Sequence, residues 1–593
     1  MIRCGLFVLA AGTLLLVAPA RAAAQSGLPD VVRAGEAHGA ELSDDTRAWL
    51  DARGPDAFEF RRGWKDRAAV VRRNRARLEA SLGQNATGDG IQRMTTSQLQ
   101  RAGAALDGTF RMPILLGQPL GAATPHTPAS YAARMFGPGS STVYSLTSLY
   151  AEMSRGAFEL TGDIVGWVAL PQNATFYYTA PANLPPEFGN TYAFMQHTIA
   201  GADATVDFGL YDNDGPDGVP NSGDDDGFVD VTAFMFPAAG RECNNGALSP
   251  GIWAHRYTTN GWGGPYISTA DPSAEGGTIR IGDYIIQGGH DCDGASLQQI
   301  GVVAHEMGHA FGIPDLYDTD DCSSTCDDGA EGEGVGHWDL MGSGNWNEPA
   351  SPAHMSAHTK AQLGWIDVVT VAADADLVIE PILDANVAYR INTLVSGQYF
   401  LLENRQQLGS DAHLARSGLL VWHVDSTIYE SRRGVNRVNN VAHAKGLDLE
   451  EADGQNGLDT SNRGDAGDPW PGSFDRTSFD DGSAPSSARN GGVVSGIALR
   501  NIVETAGGDV TLSVDVPELI TYGDVDDDGI VAASDVDLIG AWLVGAAGDF
   551  GRIARGDVDA DGDTDARDAL IVQAYLAGQD TDRFLVGDVG VDQ

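Results

Sequence analysis

The order of apolar and polar positions divides most of the chain into a mixed region and a strand-rich region. From about residue 110 to 365, strand and helix spacing alternate: 112–116 and 158–168 are predicted strands, and 143–154 is a predicted helix. From about 368 to 516, short segments of period two follow one another between Gly, Asp and Ser clusters. This pattern predicts an α/β (α+β) unit followed by a β-sandwich.

A predicted helix at 295–310 carries the pattern H-E-x-x-H as His305, Glu306 and His309. Positions four apart lie on one helical face, so both imidazoles can ligate one ion. Glu306 projects beside them, where it can hold a water without ligating the metal. A zinc ion with three protein ligands lowers the pKa of a bound water to about 7. The pattern therefore predicts a hydrolytic zinc site with Glu306 as its base.

The residues after the helix extend this pattern. Gly312 allows the chain to turn away, and Pro314 prevents the helix from continuing. Asp315 then falls at the third-ligand position of the H-E-x-x-H-x-x-G-x-x-(H/D) arrangement of metzincin peptidases. Met341 could supply the methionine turn beneath the metal. The sequence predicts zinc ligation by His305, His309 and Asp315.

Two alternatives stay open for this stretch. Asp318 and His337 compete with Asp315 as third ligand. The histidines could also be two helical residues on a solvated surface, although Gly312, Asp315 and the methionine turn together favour the metal site.

Alternating carboxylates and glycines between residues 212 and 230 suggest a calcium loop. The candidate ligands are Asp212, Asp214, Asp217 and Asp230. The spacing does not follow the twelve-residue EF-hand pattern, so a solvated acidic turn is the alternative interpretation.

Residues 523–545 and 556–578 repeat each other with a spacing of 33. Both begin with carboxylates at positions one, three, five and twelve and a glycine at position six of a calcium loop. These carboxylates are Asp524, Asp526, Asp528 and Asp535 in the first repeat and Asp557, Asp559, Asp561 and Asp568 in the second. An amphipathic helix follows each loop, at 536–544 in the first repeat and at 569–577 in the second.

Two loop–helix units of this kind resemble a type I dockerin, a small all-α module. The resemblance implies calcium binding and docking to a cohesin domain on a scaffold or cell surface. In dockerins, loop positions ten and eleven contact the partner; here they are Ala533-Ser534 and Ala566-Arg567. A calcium-stabilised module that only protects the C-terminus is the alternative.

The net charge of the chain and its first 24 residues indicate which partners and which location to expect. The formal net charge of −45 argues against a nucleic-acid partner, because a polyanion requires a basic face. Residues 1–24 have a short basic start, an apolar run and a small-residue end, which predicts a secretory signal peptide. No later segment of the sequence is apolar enough for a transmembrane anchor. The chain is therefore predicted to be secreted, with possible attachment to a cell surface through the dockerin.

Four cysteines follow the signal segment, and an even number in an exported chain suggests disulfides. Cys243–Cys292 with Cys322–Cys326 is the favoured pairing among three possible connectivities. A cysteine metal site is at odds with an oxidising compartment.

Residues 25–105 contain no recognisable chemistry, but 61–77 is helical in pattern and strongly basic. A basic segment ahead of an acidic enzyme is consistent with a propeptide that covers the active site. A solvated helix explains the pattern equally well.

Residues 110–516 resemble the immune-inhibitor-A-like family of secreted bacterial metallopeptidases. The motifs that carry this resemblance lie at 305–318, 338–341, 363–365, 399–405 and 418–423. The resemblance implies zinc endopeptidase activity, a propeptide and structural calcium. In it, His305 and His309 are zinc ligands and Glu306 is the catalytic acid/base.

The resulting prediction is a multidomain, secreted zinc endopeptidase that hydrolyses peptide bonds in proteins or peptides. Its predicted parts are a signal peptide at 1–24, a propeptide at 25–105, a metzincin-like catalytic domain at 106–367, a β-sandwich at 368–517 and a dockerin at 518–593. A non-catalytic calcium-binding surface or scaffold-associated protein with a relic metal site is the competing interpretation.

Overall fold

The computed structural model has a mixed α/β architecture with several sheets. It describes residues 42–51, 60–62, 64–83, 91–243, 251–319, 328, 332–393, 397–517, 519–526, 530–546, 553–559, 563–579, 581, 584–586 and 589–591. The predicted signal peptide, Cys322, Cys326, Asp528 and Asp561 lie outside the described residues. The remaining predicted disulfide, Cys243–Cys292, is confirmed.

The first half of the chain is built on a sheet with strand order β3-β2-β5-β9-β6. Its strands run parallel except for β6, which lies antiparallel to β9. A smaller sheet has the order β4-β8-β7. The strands are β2 (Gly108–Leu120), β3 (Phe158–Asn173), β4 (Phe228–Val229), β5 (Thr232–Ala239), β6 (His255–Thr258), β7 (Ile267–Pro272), β8 (Thr278–Ile281) and β9 (Asp283–His290).

Helices accompany these strands along the first 363 residues. They are α1 (Asp44–Asp51), α2 (Lys65–Gly83), α3 (Thr96–Arg101), α4 (Pro128–Phe136), α5 (Leu146–Met153), α6 (Ala174–Tyr178), α7 (Thr191–Ala202), α8 (Gly301–Ala310), α9 (Asn345–Asn347) and α10 (Ala357–Leu363). The predicted helices at 143–154 and 295–310 correspond to α5 and α8, each shorter than predicted at its start.

The second half of the chain, together with one strand at residues 91–94, forms two sheets that share one apolar core. One has the order β1-β10-β12-β13-β14-β15 and the other β11-β17-β16. Leu402 and Val421 of the first sheet and Leu499 and Leu512 of the second belong to the same buried cluster. The elements are β1 (Ile91–Met94), β10 (Asp367–Val371), β11 (Ala375–Ile379), α11 (Ile382–Ala385), β12 (Val387–Asn392), β13 (Gln398–Arg405), β14 (Gly418–Asp425), α12 (Ser426–Arg432), β15 (Leu447–Leu449), β16 (Ala498–Glu504) and β17 (Val510–Asp515).

The segment predicted as a propeptide is packed into both halves. Trp64 is fully buried, packs against Phe110 with the ring centroids 4.9 Å apart, and donates from Nε1 to Asp230 Oδ2 at 3.1 Å. The backbone nitrogens of Arg61 and Arg62 donate to the Asp283 carboxylate at 2.9 and 2.6 Å. Strand β1 pairs antiparallel with β10. These contacts make much of 60–105 part of the folded core.

The C-terminal module has its own small core, which includes Ile539, Ile571 and Val572. Its helices are α13 (Ala533–Leu543) and α14 (Ala566–Leu576), and β18 (Leu519–Thr521) pairs with β19 (Val589–Val591). Each helix begins three residues before the position predicted from the amphipathic pattern. Across the described residues, no helix combines the length and apolar character needed to cross a membrane.

Candidate metal centre

Helix α8 places His305 and His309 one turn apart, and both are almost fully buried at 3% and 2% exposure. The Nδ1 atom of His305 lies 2.8 Å from the Leu340 carbonyl oxygen, and that of His309 lies 2.8 Å from the Ile313 carbonyl oxygen. These acceptors leave the Nε2 atoms, 3.3 Å apart, directed at a common point. Such a tautomer and orientation are typical of metal-ligating histidines.

Asp315 reaches the same point after a chain reversal. Gly312 adopts φ +74°, a conformation that glycine takes at little cost, and so turns the chain after α8. The Asp315 Oδ1 atom then lies 3.1 Å from His305 Nε2 and 3.3 Å from His309 Nε2. Asp318 and His337, although both are described, do not belong to this group of potential ligands.

The three donor atoms suit a zinc ion. Their separations of 3.1–3.3 Å match the ligand–ligand edge of about 3.3 Å expected for tetrahedral zinc with bonds of about 2.0–2.1 Å. Burial, reinforced by nearby Arg256, lowers the pKa of His309 to about 3. Burial acts in the same direction on His305, but contact with Asp315 outweighs it and raises the pKa of His305. Although burial opposes ionisation, His309 and His305 hold the pKa of Asp315 well below its usual range.

Arg256 connects the metal-ligand group to Glu306. It lies on β6, at the edge of the sheet formed by β3, β2, β5, β9 and β6, and its side chain is fully buried. Its Nη1 atom donates to Glu306 Oε2 at 2.9 Å, and Nη2 lies 3.8 Å from Asp315 Oδ2. Burial raises the pKa of Glu306, while the positive charge of Arg256 opposes that rise. Arg256 therefore fixes the side chain that would act as the base.

The methionine-turn candidate lies against the helix that carries the histidines. The Met341 side chain contacts Gly308, at the place where a side-chain carbon on Gly308 would collide with the Met341 sulfur. Its neighbour Leu340 supplies the carbonyl that orients His305. The segment 340–344 thus supports α8 from one side.

A residue from the second half of the chain completes the surroundings of Asp315. The Asn436 side chain donates from Nδ2 to Asp315 Oδ2 at 2.6 Å and accepts from the Asp315 backbone nitrogen at 2.8 Å. Asn439 donates to the Leu316 carbonyl at 2.8 Å. Partners of this kind orient metal-ligating carboxylates. Sequence reasoning missed Asn436 and Arg256, since neither belongs to a motif.

The predicted calcium loop at 212–230 forms a different group from the one expected. Asp212, Asp214 and Asp225 lie together, whereas Asp217 and Asp230 do not join them. Asp217 is exposed, and its carboxylate accepts a hydrogen bond from the Val219 backbone nitrogen. The Asp230 carboxylate accepts hydrogen bonds from Trp64 Nε1 and from the Asn213 backbone nitrogen. Asp212 Oδ1 is buried and has no hydrogen-bond partner among the described residues.

The carboxylates of this loop are buried close together and disfavour one another's ionisation. Burial and then Asp225 raise the pKa of Asp212 to about 8, and burial and then Asp226 raise that of Asp214 to about 7. A second group of buried carboxylates, which the sequence pattern did not reveal, comprises Glu451, Asp453 and Asp468.

The two C-terminal loops have the same construction. In the first, Asp524, Asp526 and Asp535 are grouped, and in the second, Asp557, Asp559 and Asp568. The Asp535 carboxylate accepts from the Val525 and Asp526 nitrogens at 2.6 and 3.1 Å. Asp568 accepts equivalently from Val558 and Asp559 at 2.9 and 3.2 Å. The position-twelve aspartates therefore close both loops in the same way.

Comparisons with known proteins support both parts of this arrangement. Residues 128–366 match the family model described as "Immune inhibitor A peptidase M6, catalytic domain", and residues 522–577 match "Dockerin type I domain". Immune inhibitor A of Bacillus thuringiensis subsp. alesti is 29% identical over 219 residues, which cover 35% of this chain and 29% of that protein. Pre-pro-metalloprotease PrtV of Vibrio cholerae serotype O1 is 27% identical over 221 residues, covering 35% and 22%.

These matches confirm the resemblance to both families. The alignments span less than a third of the length of each of these relatives. Asn436 lies outside the region that matches the peptidase family.

Proposed function

We propose that this chain, which contains a peptidase M6 domain and a type I dockerin domain, is a secreted zinc endopeptidase that hydrolyses peptide bonds in proteins. The observation that carries the proposal is the convergence of His305, His309 and Asp315 at separations of 3.1–3.3 Å, with Glu306 beside them. A relic site in a non-catalytic protein does not require the Arg256–Glu306 contact. That contact favours an enzyme over a calcium-binding surface protein.

In this proposal His305, His309 and Asp315 hold the zinc ion, which, when bound, polarises the scissile carbonyl and lowers the pKa of water. Glu306 accepts a proton from the attacking water and returns it to the leaving amine. Arg256 holds the Glu306 carboxylate in place, and Asn436 holds Asp315. The buried surroundings exclude other water and strengthen these contacts.

The finer architecture is also a proposal. We assign 1–24 as signal peptide, 106–367 as a metzincin-like catalytic domain, 368–517 as a β-sandwich and 518–593 as the dockerin. The shared core of the two second-half sheets supports the β-sandwich. Within 25–105, the burial of Trp64 and the pairing of β1 lead us to confine a removable propeptide to residues before Phe60.

Removal of the metal is expected to abolish hydrolysis of casein by the purified chain. Treatment with 1,10-phenanthroline should remove the zinc that Glu306 and the substrate carbonyl depend on, and added Zn²⁺ should restore activity. Zinc content by mass spectrometry and casein hydrolysis are measured on the same samples. A calcium-selective chelator serves as the control. Undiminished hydrolysis by zinc-free protein would contradict the proposed function.

The C-terminal module is proposed to bind one calcium ion per loop and to dock onto a cohesin. Exposed apolar side chains on and directly after its helices support a docking role, among them Val544 at 81% and Leu570 at 64% exposure. Exposed Ala533 and Ser534 in one repeat and Ala566 and Arg567 in the other give the two repeats different faces.

Replacement of a position-twelve aspartate should weaken docking. Asp568→Asn removes the charge from a carboxylate that closes the second loop, so calcium affinity should fall by at least about tenfold. Calcium titration calorimetry and retention of the full-length chain on an immobilised type I cohesin measure the effect. Asp537→Asn, an exposed position on α13, is the matched control. Equal retention in the presence of EGTA would contradict a calcium-dependent dockerin.

A further inference from the structure

A pocket of about 180 Å³ lies beside the metal centre, where the chain turns from α8 towards Asp315. His309, Gly312 and Pro314 line this pocket. Arg72 of α2 and Arg433, which follows α12, line it as well. The second half of the chain and the N-terminal segment thus both place an arginine next to a proposed zinc ligand.

The two guanidinium groups converge on one point. The Nη1 and Nη2 atoms of Arg72 lie 3.1 and 3.6 Å from the position that a side-chain carbon on Gly312 would occupy, and Arg433 Nη2 lies 3.8 Å from it. Two like charges held this close in a half-enclosed space repel each other unless an anion lies between them. The space above Gly312 is therefore suited to a negatively charged group.

The two arginines differ in how their charges are compensated. Arg433 donates from Nη2 to the Gly312 carbonyl at 2.6 Å and forms an ion pair with Glu430 at 3.3 Å. Arg72 makes no hydrogen bond or ion pair with any residue that the structure describes. Burial, followed by the charge of Arg433, lowers the pKa of Arg72 to about 10. Arg72 therefore remains charged at neutral pH and available to a ligand.

We propose that Arg72 and Arg433 form a carboxylate-binding site that receives an acidic side chain of a peptide bound at the metal centre. A guanidinium group presents a planar fork that fits a carboxylate in two hydrogen bonds. The pocket is a local positive site on a chain of net charge −45, which otherwise repels acidic peptides. This inference rests on the proposed peptidase function and on residues 60–105 remaining on the enzyme.

Binding is best measured on the full-length Glu306→Gln variant as purified, so that the peptide is not cleaved during titration. Mass spectrometry first establishes that residues 60–105 are present. Calorimetry then compares peptides that differ only by Glu or Gln at each position. For at least one position, the Glu peptide should bind about tenfold more tightly. Arg72→Gln should remove this difference, and Arg77→Gln, an exposed position on α2, should preserve it.

Succinate tests whether the pocket binds a free carboxylate. Competition by succinate against the Glu peptide, lost in Arg72→Gln, supports the site; succinate binding without any preference among peptides would overturn its assignment to the substrate. Equal binding of the Glu and Gln peptides to the Glu306→Gln variant at every position would also overturn it. If wild-type protein fails to hydrolyse casein while the Glu preference persists, the carboxylate site stands and the proposed peptidase function fails.

Discussion

A full-length Glu306→Gln variant is expected to lose casein hydrolysis by about a thousandfold while its zinc content stays that of the wild type. The amide keeps the shape of the side chain and can still contact Arg256, but it cannot accept a proton from water. Because Glu306 is absent from the group of potential ligands His305, His309 and Asp315, its replacement should leave the metal in place. Hydrolysis rates and zinc content of the same preparations give the result.

The control for this variant is Glu159→Gln, the same chemical change at an exposed position on β3. It should hydrolyse casein at the wild-type rate. Wild-type turnover by Glu306→Gln would remove Glu306 from the mechanism. Loss of zinc together with activity would instead show that the carboxylate supports the metal, and the assignment of a base would then fail.

The spacing of residues along the sequence was sufficient to predict the helix and the turn that carry the proposed zinc ligands. His305, Glu306 and His309 sit on one helix, and Gly312 returns the chain to Asp315 within six residues of His309, so their grouping follows from helical geometry and one turn. The C-terminal loops were predictable for the same reason. In both cases the residues that meet in space are near neighbours in sequence.

Contacts between distant segments could not be predicted in this way. Asn436 reaches Asp315 across a sequence separation of 121, and Arg256 reaches Glu306 across 50. Asp230 fitted the calcium spacing, yet its carboxylate contacts Trp64, which lies 166 residues earlier. Asp225, and not Asp230, lies beside Asp212 and Asp214. Which carboxylate is available to a cation depends on the tertiary partners of its neighbours, and spacing contains no information about those partners.

The N-terminal segment also makes contacts with distant residues that the sequence did not predict, and these contacts change the predicted structure most. Its basic helical pattern suited either a detachable propeptide or a solvated helix. Neither interpretation anticipates the packing of Trp64 near Phe110 and Phe311 or the pairing of β1 with β10. Trp64 lies in the same buried cluster as Val303 and Met307 of α8, so the segment contributes to the core that positions the metal centre.

A chain that begins at residue 106 is therefore expected not to reach the folded state. Loss of a buried tryptophan alone costs about 3–5 kcal/mol, and the shortened chain also loses β1 and the contacts to Asp283. Together these losses rival the total stability of about 5–15 kcal/mol typical of a folded domain. Circular dichroism and thermal unfolding measure the outcome. A chain that begins at Phe60 retains all of these contacts and should unfold cooperatively, which makes it the control. A stable, active protein starting at residue 106 would show that the whole segment 25–105 is removable and that the metal centre folds without it.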